Sequence, residues 1–407
     1  MSEAGQANDS GAFAPLKHQV FRVLWIATVI GNIGTWVRDM ASGWAMTELS
    51  PSPLMIALVQ ALGTLPIFIL ALPAGALSDL LDRRRLLIGV QVWLGIGSLV
   101  LTLLALSGRL TAPALLLLVT LGGIGAALMA PAWQTIVPEL VPRAELRAAV
   151  GLNTLGINIS RAIGPALGGV LLSIWGLAAA YALDAATYLV TGLALLWWRR
   201  EVKPPKGPPE QMLAAMRAGV SYALASHELR RLLLRGAGFF LFSSGVWALL
   251  PLIARSQPGA SAGLYGIMLG AIGAGAVAGA LLLPYLRRMF SSDALVRLAT
   301  LLIAMAMLIF AFVHQATVAI VMCLATGMGW IVALTTLGAT VQLVLPDWVR
   351  GRGLAVYITM FYGTLSLGSM LWGQVASVTS LDTALATAAI GGVLAMLALW
   401  FAPLPAG

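Results

Sequence analysis

The chain has 407 residues, 60% of them hydrophobic and only 10% charged, where an ordinary soluble domain carries about 25% charged residues. That composition excludes a soluble globular fold. Apolar stretches of roughly 20 residues, rather than apolar/polar alternation, exclude a transmembrane barrel. A formal net charge of +9 would suggest nucleic acid in a soluble protein, but here the cations gather in loops between apolar runs, and no nucleic-acid partner is expected.

The first sixteen residues are small and polar and lack the pattern of a cleaved signal peptide, and 1–20 reads as a cytoplasmic N-terminal tail. Apolar length and turn residues then predict helices near 21–48, 54–78, 86–107, 112–136, 147–173 and 177–198. A second set is predicted near 232–255, 260–286, 293–313, 317–343, 353–378 and 380–402. The expectation is an all-α membrane protein with an N-terminal six-helix bundle over 21–198 and a C-terminal one over 232–402. Between them, 199–231 reads as a cytoplasmic linker, proline-rich at first and then an amphipathic helix, and 403–407 as a short cytoplasmic tail.

Of the 24 Lys and Arg, only Arg109 and Arg255 fall in loops of the parity opposite to the N-terminal tail, and only Arg38 and Arg161 fall inside spans. The positive-inside rule then puts both termini in the cytoplasm. The halves echo each other: "VPELVPRAELRAAVGL" after the fourth span has a counterpart in "LPDWVRGRGLAVYI" after the tenth. "GALSDLLDRRR" after the second span is echoed by "GALLLPYLRRM" after the eighth, where Leu283 stands in place of the aspartate. Parallel six-helix repeats are a transporter architecture.

Charged groups at bilayer depth are costly and tend to face partners or a wet cavity. Four qualify: Arg38, Asp39, Arg161 and Asp184. Helical phase groups Thr28, Asn32, Thr35 and Asp39 on one face of the first span, with Trp36 close to it. Thr154, Asn158, Arg161 and Pro165 share a face of the fifth, and Asp184, Thr187, Tyr188 and Thr191 a face of the sixth. Arg38 points about 100° from the Asp39 face, so it is left to pair locally or snorkel outward. The proton-coupling or substrate-binding candidates are therefore Asn32, Trp36, Asp39, Asn158, Arg161 and Asp184, with Asp39 or Asp184 titrating and Arg161 as charge partner or cargo anchor. The competing reading is a permanent Arg–Asp pair that only holds the first bundle together. Aromatic residues such as Trp133, Trp247, Phe361 and Trp372 suit either an aryl cargo or ordinary packing.

The sequence resembles the major facilitator superfamily along its whole length. In "GALSDLLDRRRLLIG", Gly75, Leu77, Ser78, Asp79, Arg83 and Arg84 match the family's signature between the second and third spans, while Leu80 and Asp82 depart from it. The "DRRR" variant, "PAWQTIVPELVPRAELRAAVGLN" and "GPALGG" look like the branch of the enterobactin exporter and transmembrane secretion effectors. On the fifth span, Gly151, Gly164, Pro165, Gly168 and Gly169 match the superfamily's antiporter pattern, with Ser160 as the one departure; small residues there let helices approach closely. Val119 stands where a proton-linked arginine is usual on the fourth span, ahead of "GGIGAA".

The resemblance implies two pseudo-symmetric six-helix bundles, the major facilitator fold, rocking around a central cavity. It implies a conformational latch of Gly75, Asp79, Arg83, Arg84, Arg350 and Arg352, made in the outward-open state and lost when the bundles rock. The expected function is secondary active, proton-coupled export of a small amphipathic molecule, siderophore-like or drug-like, through a bacterial inner membrane by a monomer. An uncoupled facilitator or importer, which Val119 favours, and a non-transporting sensor or assembly protein are the alternatives. No Walker motif, metal-ligand cluster or catalytic constellation is found, so no cofactor, no metal and no enzymatic activity are expected.

Overall fold

The computed structural model describes residues 11–199, 221–346 and 348–399, without the side chains of 72, 75, 76 and 78–80. A 3-10 turn, Ala14–Lys17, leads into α1 (Gln19–Leu49), α2 (Pro53–Leu80), α3 (Arg83–Leu106), α4 (Ala112–Leu140), a second 3-10 turn at Arg143–Glu145, α5 (Leu146–Trp175) and α6 (Leu177–Trp197). The second half holds α7 (His227–Arg255), α8 (Ala262–Met289), α9 (Ser292–Phe312), α10 (Ala316–Val344), α11 (Arg350–Val378) and α12 (Leu381–Ala398). Among the described residues these twelve helices are long and apolar enough to cross a membrane, and the chain is an integral membrane protein. Most of the linker and its amphipathic helix, and both outermost tails, lie outside the described residues.

Local chemistry sets the helix ends. Asp82 accepts from the Arg85 backbone N–H at 2.9 Å and so starts α3 three residues before the apolar run. Ser226 caps α7 through Leu229, so that helix begins at His227, five residues ahead of the position expected from hydropathy. Ser261, Ser291 and Ser380 cap α8, α9 and α12 in the same way. α5 passes to α6 through Gly176 alone, at φ 78°, a left-handed conformation that favours glycine. Pro131 and Pro138 lie inside α4, which runs to Leu140, beyond the end that apolar length suggests.

Alternation of the helices puts Lys17, Arg83 to Arg85, Arg143, Arg147, Arg287, Arg288, Arg350 and Arg352 at one end of the molecule, here called the basic face. The packing repeats at an offset of six helices: α3–α6 corresponds to α9–α12, α1–α5 to α7–α11, and α2–α4 to α8–α10. Across the halves, α2–α11 corresponds to α5–α8. The architecture is therefore two related six-helix halves joined along those two seams.

Close approach at the seams depends on small residues, because helices in lipid gain little from hydrophobic burial and much from van der Waals contact. A Cβ on Gly266 would stand 2.7 Å from the Pro165 carbonyl and 2.8 Å from Gly169 Cα, and one on Gly273 would stand 2.8 Å from Ala162 Cα. Gly164 and Gly168 instead let α5 settle on α1, against Trp36 and Met40. Gly151 is different: a Cβ there meets nothing within 4 Å, so this member of the expected pattern packs against no neighbour in the present arrangement. Leu283 is buried at 5% exposure, a core residue at the place where the first half has Asp79.

Candidate functional site

Arg38 gathers the intramembrane charges. Its Nη2 and Nε donate to Asp39 Oδ1 at 2.9 and 3.2 Å, its Nη1 donates to the Tyr188 hydroxyl at 3.0 Å, and the same Nη1 stands 3.8 Å from Asp184 Oδ2. The two carboxylates differ sharply in surroundings: the Asp39 side chain is 54% exposed and that of Asp184 0%. Ser98 of α3 donates to Asp184 Oδ2 at 2.5 Å, while Oδ1 has no hydrogen-bond partner among the described residues. Tyr188 also shares a hydrogen bond with Thr35 at 3.3 Å. Room for the guanidinium comes from α4, where a Cβ on Gly122 would stand 3.5 Å from Nη1. Gly122 lies one turn beyond Val119, so a cation from α1 stands beside the stretch of α4 whose expected arginine is missing.

The partner of Asp184 is thus Arg38, not Arg161. Arg161 lies 5.5 Å over the Trp36 ring, its Nε has no hydrogen-bond partner, and no carboxylate pairs with it among the described residues. It faces the second half, within electrostatic range of Tyr362, just as Asp39 is within range of Tyr265. Asn158 donates to the Thr154 carbonyl of its own helix at 3.0 Å. Asn32 faces elsewhere, into a cavity of about 540 Å³ whose lining comes entirely from the first half. That cavity is bounded by Trp25 and Asn32 of α1, Gln91 of α3, Trp133 of α4, Asn153 of α5 and Tyr188 of α6. Leu87 and Val150, both near helix ends, bring it close to the basic face. Its deep end is Tyr188, the residue that holds Arg38.

At the expected latch, Arg83 donates to Glu139 of α4 at 3.0 Å, and Arg84 donates to the Leu195 and Leu196 carbonyls at 2.8 and 2.7 Å, closing the end of α6. Gly75 and Asp79 both fall on α2, and the side chain of Asp79 lies outside what the structure describes. α2 and α11 run antiparallel, with Ala57 beside Gly373, Ala61 bonded to Ser366 at 3.0 Å, and Phe68 beside Gly363. That register, carried on, brings position 79 level with the first turn of α11, where Arg350 and Arg352 lie.

The halves are joined at the face opposite the basic one. Arg255, at the end of α7, donates to the Thr47 carbonyl of α1 at 3.0 Å and lies 5.4 Å over the Trp44 ring. Trp44 stacks on Tyr265 of α8 at 6.0 Å and donates to Glu48 at 2.9 Å.

The fold is two related six-helix halves with a charge cluster inside the first, and the sequence matches a known family along nearly its whole length. The transmembrane secretion effector profile matches residues 10–407. The chain belongs to the transmembrane secretion effector family of the major facilitator superfamily. This secretion effector is 29% identical over 380 residues to the enterobactin exporter EntS of Salmonella typhimurium, covering 92% of this chain and 89% of that one. It is 30% identical over 340 residues to the enterobactin exporter EntS of an Escherichia coli strain, covering 82% and 80%. In fold it is similar to a POT family transporter (TM-score 0.76, 13% identity, 94% and 96% of the two chains). It is likewise similar to the nucleoside transporter NupG (TM-score 0.75, 14% identity, 94% and 99%). The secretion effector is accordingly a secondary transporter and not an enzyme.

Two site residues, Ser98 and Gln91, escaped the sequence reading, and a third, Arg38, entered it as an intramembrane charge left to pair locally or snorkel outward but not as a site residue. Ser98 and Gln91 gave no signal, since single polar residues in an apolar helix have no distinguishing pattern. Arg38 had a signal, its charge, but helical phase turned it away from Asp39; the long side chain bends back across that angle.

Proposed function

We propose that this secretion effector exports a small amphipathic molecule, siderophore-like or drug-like, across the inner membrane of a bacterium in exchange for protons, as a monomer with both termini cytoplasmic. The observation that carries the reading is one guanidinium, Arg38, shared between an exposed carboxylate, Asp39, and a buried one, Asp184. The names of the relatives, enterobactin exporters, support the direction and the cargo class.

With the basic face as the cytoplasmic one, the present arrangement is the inward-open state. In it Asp39 holds Arg38. Once the halves have rocked to the outward-open state, a proton from outside neutralises Asp39, which faces the second half, and its hold on the guanidinium weakens. Arg38 then turns the short distance from 3.8 Å to direct contact with Asp184. The change in the α1 surface facing α8 alters how the halves meet, and release of the proton inward restores the first pairing. Arg161 over Trp36 offers the cargo a cation and a ring on the same cleft. When the basic face closes, Asp79 meets Arg83 and the first turn of α11 near Arg350 and Arg352, and latches the outward-open state.

The experiment is transport by the purified chain in liposomes, with and without an imposed pH gradient, for the wild type and Asp39→Asn. Gradient-driven flux that Asp39→Asn loses supports the proposal. Flux indifferent to the gradient in the wild type favours the facilitator reading.

A further inference from the structure

The cavity of about 540 Å³ inside the first half has the size of a small-molecule site and is not needed to explain how two halves rock. Its lining has a particular chemistry. Among the described residues no ionisable acid or base of the charged types lines it; the polar groups are carboxamides, hydroxyls and the Tyr188 phenol. Two indoles, Trp25 and Trp133, form part of the wall, and the Trp25 N–H is engaged on the Leu152 carbonyl at 2.9 Å, which fixes that ring. Gln91 is buried at 5% exposure, and its Oε1 is an acceptor with no hydrogen-bond partner among the described residues. Its Nε2 makes only a 3.5 Å contact to Met129 Sδ, so the terminal amide is held weakly and turns readily about its last torsion.

We infer that this cavity binds an uncharged aromatic molecule carrying an N–H or O–H donor, with the ring against Trp25 and Trp133 and the donor on Gln91. A charged ligand finds no countercharge in the wall, and desolvating an unpaired ion costs more than hydrogen bonds to amides return. A lipid acyl chain would leave the carboxamides unpaired. A neutral donor-bearing ring satisfies both the apolar walls and the orphan acceptor. The deep end of the site is Tyr188, which Arg38 holds at 3.0 Å, so an occupant that engages the phenol or Thr35 competes with the guanidinium. Taking the occupant as cargo rests on the exporter reading; the existence and selectivity of the site do not.

The test is equilibrium binding to the full chain in lipid nanodiscs, with empty nanodiscs as the blank, using a series of one shape: 2-naphthamide, 2-naphthoate, 2-naphthamidine and 2-acetonaphthone. The amide is expected to bind on the order of tenfold more tightly than the anion, the cation and the donor-less ketone. Gln91→Leu should bring the amide down to the ketone, and Ala130→Phe, which fills the cavity, should abolish binding of both while the melting temperature and elution profile stay those of the folded protein. Equal binding of all four probes, or amide binding untouched by both substitutions, overturns the inference. Normal gradient-driven transport alongside either of those results would leave the exporter reading standing and this site refuted.

Discussion

Arg38 and Asp39 are neighbours in sequence, yet two donors of the guanidinium reach one oxygen of the carboxylate, at 2.9 and 3.2 Å. Adjacent positions on a helix point about 100° apart and do not normally face each other. The pair exists because the arginine stem folds back, with Tyr188 and Gly122 defining the space it folds into. A cation held by its own neighbour and only 3.8 Å from a second carboxylate is poised to change partners.

The burial difference makes the two carboxylates unequal in stability. Asp184→Ala leaves Ser98 and Arg38 without a buried acceptor and should cost about 1–3 kcal/mol. Asp39→Ala removes an exposed partner and should cost less than about 1 kcal/mol. Melting temperatures of the purified variants in detergent check the order; a larger loss for Asp39→Ala would contradict it.

At the basic face, Asp79→Asn removes the acidic member of the proposed latch. Insertion and expression are expected to be normal, with turnover reduced roughly tenfold because the outward-open state loses its clasp. Wild-type turnover by this variant would remove the latch from the mechanism.

Opposite the basic face, Arg255 ties α7 to α1 through the Thr47 carbonyl and the Trp44 ring. Arg255→Ala should lose about 1.5–3 kcal/mol from the charged hydrogen bond, enough to shift the population about tenfold or more towards opening of that face. Labelling of a Ser50→Cys variant by an impermeant maleimide should rise accordingly, against a background in which the native Cys323 is buried. Unchanged labelling would show that the tie does not hold the face shut.

Glycines of the α5–α8 seam need to be small, and Gly151, on α5 but away from the seam, does not. Gly266→Val places carbons against the Pro165 carbonyl and Gly169, and should abolish transport by forcing the seam apart. Gly151→Ala meets nothing within 4 Å and should transport as the wild type does. Flux assays on the pair check this, and equal effects would contradict it.

Much of the fold was legible in the sequence because each helix had to carry its own apolar length through the bilayer, with turn residues between helices and cations gathered in the turns of one face. The exceptions were polar caps: Asp82 and Ser226 extend α3 and α7 into stretches that hydropathy alone leaves outside. The site was legible only in part. Charge singled out Arg38, Asp39, Asp184 and Arg161, and periodicity placed Tyr188 and Thr191 on the face of Asp184. Which arginine serves Asp184 depended on side-chain reach and on the packing of α1 against α6, neither of which is a periodic property. The cavity was invisible for the same reason, since it is a shape left between five helices and not a motif on any one of them.

Proton coupling through the shared arginine is tested most directly by cargo flux in liposomes under an imposed pH gradient, set beside cargo exchange with no gradient. The wild type should be accelerated by the gradient, and Asp39→Asn should exchange cargo at near the wild-type rate while its net flux no longer responds. Gradient-driven flux in Asp39→Asn equal to that of the wild type would contradict the account.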